Sequence, residues 1–165
     1  MSVSYPLVNA IKLEKKRLTE IDKLSITELL NNPLVKRHMP LSSHHVGDKE
    51  YNEFIRAKEA IWSTHHFGPW AYLIDGTFIG WAGIQPDDAD FELALVLHPD
   101  YWGYGRQIYN ELIKFAFDEL NLPSLVVYFP PTRTRIKALI RAGFKKDGET
   151  EFSGCRFIRY RLQAM

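Results

Sequence analysis

The sequence predicts an α/β domain, with a mixed β-sheet covered on its faces by helices. Three observations carry this expectation. Apolar residues recur at helical spacing in some segments and crowd into short β-prone runs in others. Turn-forming clusters, Asp75-Gly76, Pro86-Asp87-Asp88 and Pro130-Pro131, separate the runs. The whole chain of 165 residues is 45% hydrophobic and 13% aromatic, enough for the core of one domain spanning 1–165.

Taken in order, Val8 to Leu18 reads as a first strand, with Ile11 and Leu13 ahead of the charged stretch Glu14 to Arg17. Thr19 and Asp22 resemble a capping box, and Ile21, Leu24, Leu29 and Leu30 then imply a helix that Asn31-Asn32-Pro33 ends. A loop rich in Pro, Ser, His and Gly runs from about Val35 to Asp48. Tyr51, Phe54, Ile55 and Ile61-Trp62 imply a second amphipathic helix. Lys58 falls on its apolar face, where the stem can pack while the charge reaches water. Trp70 to Ile74, Asp75-Gly76 and Phe78 to Ile84 read as a β-hairpin, which Pro86-Asp87-Asp88 breaks off.

Phe91 to Leu97 is apolar on both faces except at Glu92, so it is expected near the middle of the sheet, and Pro99 stops it. From Tyr104 to Leu120, the stripe Tyr109, Ile113, Ala116, Phe117 and Leu120 marks a helix. Leu125 to Phe129 is a short buried strand. Ile136, Leu139 and Ile140 mark a short helix that Gly143 can end as a left-handed cap. Two last strands lie near Lys145 to Phe152 and Arg156 to Leu162.

Composition narrows the function classes. The 21 basic and 20 acidic residues leave a net charge of +1, which argues against a phosphate-tracking surface and hence against nucleic acid as the main partner. No stretch approaches the roughly 18 apolar residues of a membrane span, and no secretory leader is visible. Cys155 is the only cysteine, so a disulfide within the chain and a cysteine metal cluster are excluded, and the cytoplasm is the expected setting.

The most informative stretch is Leu95-Val96-Leu97-His98-Pro99-Asp100-Tyr101-Trp102-Gly103-Tyr104-Gly105-Arg106-Gln107-Ile108. A strand, a proline-limited turn and a glycine-bearing loop open directly into a helix. Such a junction favours anions, because the first helical N–H groups have no partner within the helix and the peptide dipoles align there. Gly103 and Gly105 would permit close backbone approach and positive φ, and Arg106 adds a fixed charge. A dinucleotide fingerprint is excluded, since the third glycine is missing at its spacing. A P-loop is excluded as well, for want of Gly-Lys-Ser or Gly-Lys-Thr.

The run Pro99-Asp100-Tyr101-Trp102-Gly103-Tyr104-Gly105 resembles the acyl-CoA pyrophosphate loop of GNAT acetyltransferases, and in particular the branch of ribosomal-protein N-terminal acetyltransferases. Asn32-Pro33, Arg37-His38-Met39-Pro40, Phe67-Gly68-Pro69-Trp70, Phe78-Ile79-Gly80-Trp81 and Ala142-Gly143-Phe144 follow in the order of that branch. The resemblance implies a mostly antiparallel twisted sheet of about six to seven strands flanked by about four helices. It also implies acetyl-CoA as cosubstrate, no metal, and a primary amine acceptor, either a protein N-terminus or a small amine. Transfer would be direct, within a ternary complex. A homodimer through the late strands would fit the family, and a CoA-binding sensor without turnover is the alternative on the same fold.

Within that resemblance, the backbone of Leu95, Val96 and Leu97 would hold the pantetheine arm. The loop Trp102, Gly103, Tyr104, Gly105, Arg106, Gln107 and Ile108 would hold the pyrophosphate, with Thr132 and Arg133 at the start of the next helix on the cofactor's other side. The N–H of Val96 or Leu97 would face the oxyanion. Two departures stand out. Gln107 is bulkier than the family's Gly or Ala and could narrow the loop. Thr132 and Leu139 replace the usual Asn and the usual tyrosine acid.

Glu92 is the candidate general base, or else a solvated strand-end carboxylate. Tyr128 is a candidate proton donor to the thiolate or a pocket-shaping aromatic. Cys155 is a weaker donor candidate beside its reading as a small core residue, and His98 is a base or a plain loop residue. His44-His45 and His65-His66 lack ligand spacing and read as loop residues, although His65 or His66 could line the acceptor cleft. Arg106, Arg133 and Arg135 lie where phosphates are expected. Trp62, Trp70 and Trp81 are aromatics of the core or acceptor pocket.

Overall fold

The computed structural model describes residues 12–37, 39 and 44–165. Their strands are β1 Leu13–Lys16, β2 Trp70–Ile74, β3 Thr77–Asp87, β4 Asp90–Leu97, β5 Ser124–Phe129, β6 Lys145–Phe152 and β7 Cys155–Gln163. The α-helices are α1 Lys23–Asn31, α2 Pro33–Arg37, α3 Asp48–His65, α4 Gly105–Lys114 and α5 Lys137–Arg141. All seven strands join one sheet in the order β1-β2-β3-β4-β5-β7-β6. Every neighbouring pair is antiparallel except β4 with β5. The expected mixed, mostly antiparallel sheet is present, and β4 lies at its centre.

Strand alternation sends side chains to two cores. One cluster holds Tyr72, Ile79, Leu93, Leu97, Leu125, Val127 and Phe129 with Ile108, Leu112 and Ala116 of the α4 side. The other holds Trp81 and Ala94 with Ile26, Leu29 and Leu30 of α1, and Phe54 of α3 and Val96 pack against it. Leu93 and Leu97 thus face α4, whereas Ala94 and Val96 face α1 and α3. Ile108, Leu112 and Ala116 are spaced four apart, which puts them on one buried helix face. Ile108 is wholly buried. Ile108→Val is expected to cost about 0.5–1.5 kcal/mol in urea unfolding; an unmoved midpoint would contradict this packing.

The Asp75-Gly76 hairpin forms as expected, both residues taking positive φ (49° and 80°) in a primed turn. Gly143 also takes positive φ after α5. Several boundaries differ from the sequence reading. Residues 8–11 of the first expected strand, like residues 38 and 40–43 of the expected loop, lie outside the described residues, and β1 covers Leu13–Lys16. Leu18–Glu20 forms only a 3-10 turn. The α1 cap falls on Asp22, whose carboxylate accepts from the Ser25 N–H at 3.0 Å, so Thr19 caps no α-helix. Proline fits the first turn of a helix as well as it ends one, so Pro33 opens the short α2 inside the expected loop.

Pro86 does not break β3 either; it pairs with Phe91, and the hairpin turns two residues later, where Asp88 has φ 52°. The reason is positional. β2 ends opposite Ala82, so the far edge of β3 has no ladder to supply at Pro86.

Candidate active site

The site begins where the sheet stops being continuous. β4 and β5 pair at a single position, Glu92 opposite Val126. Below it, Arg161 of β7 clasps the base: its guanidinium reaches Asp90 at 2.7 and 3.2 Å, Ser124 Oγ at 2.8 Å and Asp147 at 2.8 Å. The bidentate pair holds the Asp90 carboxyl below its usual range. Beyond Glu92, a cavity of about 530 Å³ opens, walled by Glu92, Ala94, Leu95 and Val96 of β4 and by Val127, Tyr128 and Phe129 of β5.

Glu92 sits on this wall, and burial raises its carboxyl above the usual range. The positive charge of Lys58 and a hydrogen bond from Gln85 oppose that rise. Lys58 does not run out to water as expected. From α3 it turns into the cavity and donates to Gln85 Oε1, with its ammonium 4.5 Å from the Trp81 ring and 5.3 Å from the Phe54 ring. Burial lowers its pKa to about 8. The Tyr128 hydroxyl donates to Asp87, and burial together with that carboxylate keeps the phenol protonated.

The sequence-predicted residues separate into groups. Glu92, Leu95, Val96, Tyr128 and Arg133 come together around the cavity, with Arg133 3.9 Å over the Phe129 ring. Leu97 is buried, and its carbonyl accepts from Trp102 Nε1 at 2.9 Å. Residues 102–108 follow the end of β4 outside the cavity wall. Pro99–Tyr104 winds as a 3-10 helix that passes directly into α4.

Neither loop glycine uses positive φ, contrary to the sequence reading. Gly105 is helical, and a Cβ there would lie 3.3 Å from Leu95 Cδ2; one on Gly103 would meet nothing within 4 Å. The Gly105 N–H already donates to the Trp102 carbonyl. Arg106 and Gln107 are exposed. The side chain of Ile108 belongs to the core, which leaves only its backbone for a ligand.

Thr132 and Arg133 lie in the turn after β5, ahead of α5, which starts only at Lys137. Leu139, at the place of the tyrosine acid, is buried in the core. His98 Nδ1 accepts from the Asp100 N–H at 3.1 Å and caps the 3-10 helix, and it does not line the cavity. Nor do His65, His66 or Cys155, whereas His44 does. Trp81 belongs to the cavity wall, while Trp62 and Trp70 pack on each other 4.7 Å apart. No group of three or more His, Cys, Asp or Glu suited to a metal occurs among the described residues.

Sequence reasoning missed Lys58, Gln85 and Tyr109. Tyr109 lines the cavity from α4, and burial pushes its phenol up to about 12. A lysine on an apolar stripe was the available signal for Lys58. Nothing in the spacing marked Gln85.

A family profile described as Acetyltransferase (GNAT) domain matches residues 12–145. The chain belongs to the GNAT acetyltransferase family. The general chemistry of GNAT enzymes is acetyl-CoA-dependent acyl transfer to amines. Solved GNAT-type structures share the fold across nearly the whole chain. An acetyltransferase from Agrobacterium tumefaciens is 22% identical, with 92% of this chain and 90% of that one covered and a TM-score of 0.76. A spermidine N-acetyltransferase from Vibrio cholerae, solved with CoA and spermine, is 14% identical over 94% and 96%, with a TM-score of 0.72. A Campylobacter jejuni N-acetyltransferase, solved with acetyl coenzyme A, is 18% identical over 92% and 99%, with a TM-score of 0.64.

The residues present fit the GNAT cosubstrate on three counts. β4 and β5 leave a gap walled by main chain and apolar side chains, Gly103 leaves its surface open, and Arg133 adds a cation at the β5 side.

Proposed function

We propose that this GNAT protein moves an acetyl group from acetyl-CoA to a primary amine, directly and within a ternary complex. The observation that carries this reading is Glu92, a half-buried carboxylate at the last paired position of β4 and β5, facing the cavity that opens beyond it.

Bound acetyl-CoA supplies an activated thioester. The backbone of Leu95, Val96 and Leu97 lies along the gap to hold its arm, and the backbone of residues 102–108, with Thr132 and Arg133, is the set available to its phosphates. His98 N–H donates to the Ile79 carbonyl, so by strand alternation Val96, opposite Trp81, turns its N–H to β3, and the Leu97 N–H, turned toward the gap, is the candidate oxyanion donor in its place. Glu92 takes the proton of the incoming amine, directly or through water. Tyr128, committed to Asp87, shapes the pocket, and Tyr109 is a further protonated phenol in the same cavity. The acceptor, a small amine or a protein N-terminus of the kind the resembled branch modifies, enters past Met39, His44 and Val46.

Two measurements test this reading. Calorimetric titration is expected to show acetyl-CoA binding in the micromolar range, and an amine panel is expected to release CoA. Binding without release from any amine would favour a CoA-binding sensor, in keeping with Leu139 replacing the usual acid. A folded protein that does not bind would overturn both.

A further inference from the structure

Lys58, one of two cations lining the cavity, makes no direct ion pair among the described residues. Among the described residues no carboxylate lies within ion-pair distance of Lys58, whose recorded hydrogen bond goes to the neutral Gln85. An ammonium has three N–H donors, so one bond leaves two. The Trp81 and Phe54 faces lie against the charge but accept no conventional hydrogen bond.

The cavity acids have other partners. Glu50 accepts from the Gly47 N–H at 2.9 Å at the start of α3, Asp87 accepts from Tyr128, and Glu92 accepts from Gln85. Gln85 therefore stands between a cation and a base, its oxygen toward Lys58 and its amide nitrogen toward Glu92. The nearest opposite charge, Glu92, acts on Lys58 only across Gln85, so the ammonium keeps donors without a direct acceptor, and the group that enters this cavity is positioned to meet them.

We propose that the acceptor is a small amino-carboxylate, its carboxylate held by Lys58 and its amine presented to Glu92. This assignment rests on the acyl-transfer reading above and names its substrate class. The two anchors are separated by one side-chain amide, which suits a molecule carrying the carboxylate within a few bonds of the amine. The same arrangement disfavours polycations, because their second charge would meet Lys58. In the reaction, the amine nitrogen forms the new N–C bond as the C–S bond of the thioester breaks. Glu92 takes a proton from that nitrogen, the CoA sulfur leaves with the bonding pair, and Lys58 stays protonated and unchanged.

The test compares acceptors that differ only at the carboxylate: free amino acids, beginning with glycine, alanine and β-alanine, against their carboxamides, with spermidine as the polycation. CoA release is followed for the full chain and for Lys58→Met and Lys58→Arg. At least one free acid is expected to show a KM about tenfold or more below that of its amide, the discrimination of a charge-assisted hydrogen bond. Lys58→Met is expected to bring the ratio of the two KM values toward one, and Lys58→Arg to keep most of it. Thermal unfolding and acetyl-CoA titration verify that each variant folds and binds.

Equal use of acids and amides, or preference for spermidine, would overturn the amino-carboxylate and leave acyl transfer standing. A discrimination that survives Lys58→Met would overturn the role of Lys58. No CoA release from any amine would remove the acyl-transfer reading and this one with it.

Discussion

Glu92→Gln is expected to lower turnover by about 10²–10⁴-fold, the usual contribution of a positioned general base, with acetyl-CoA affinity retained. The amide keeps the size of the side chain and can still meet Gln85, but it cannot take a proton. A pH profile adds a check that a structural role would not pass. Burial raises the Glu92 carboxyl, so it becomes protonated, and inactive as a base, at a higher pH than an ordinary glutamate. The rate should therefore fall with decreasing pH along a limb lying above the usual carboxylate range. Acceptor protonation lowers the rate in the same direction, but at the pKa of the amine. Only the lower limb should vanish in Glu92→Gln. Rates within a few-fold of wild type across the profile would remove Glu92 from the chemistry.

Bulky substitution in the loop is the second large effect, and the structure separates two versions of it. A side chain on Gly103 would meet no protein atom within 4 Å, so Gly103→Leu should fold normally. Its expected loss of acetyl-CoA affinity, tenfold or more by the loss of about 1.4 kcal/mol, would then reflect a blocked approach to the loop. On Gly105 the same side chain would press on Leu95 and the core behind it. Gly105→Leu is therefore expected to abolish binding and also to cost about 1–3 kcal/mol of stability. Calorimetry with each variant, alongside urea unfolding, reads the two effects apart. Full affinity in both would place the phosphate site elsewhere.

Much of this molecule was legible in its sequence because its signals are local. Asp75-Gly76 set the first hairpin, the apolar run with one carboxylate picked out β4, and four-residue spacing marked α4. The boundaries that moved were decided by neighbours. Pro86 is tolerated because β2 has ended, Asp22 outcompetes Thr19 as a cap, and Pro33 starts a turn of helix as readily as it stops one.

The site divided in the same way. Glu92 and the β4 backbone declared themselves through burial pattern and family motif. Lys58 did not, because the same apolar stripe suits a lysine that leaves for water and one that turns inward. The choice depends on Trp81 and Gln85, distant in the chain and brought close by β3. The positive φ expected at Gly105 is absent, because the residue is helical; what crowds a side chain there is Leu95, a neighbour that sequence spacing does not show.

The single ladder position between β4 and β5 also has a mechanical meaning. Strands β1–β4 and β5–β7 are two leaves joined in the ladder at one position, Glu92 opposite Val126, and fastened below it by Arg161. If the leaves flex to admit or release a long ligand, that point is the pivot, and displacement grows with distance from it. The outer ends of β4 and β5 then travel furthest and the Glu92 carboxylate least. The proposed base sits at the apex of a wedge, where breathing of the slot would disturb its aim the least.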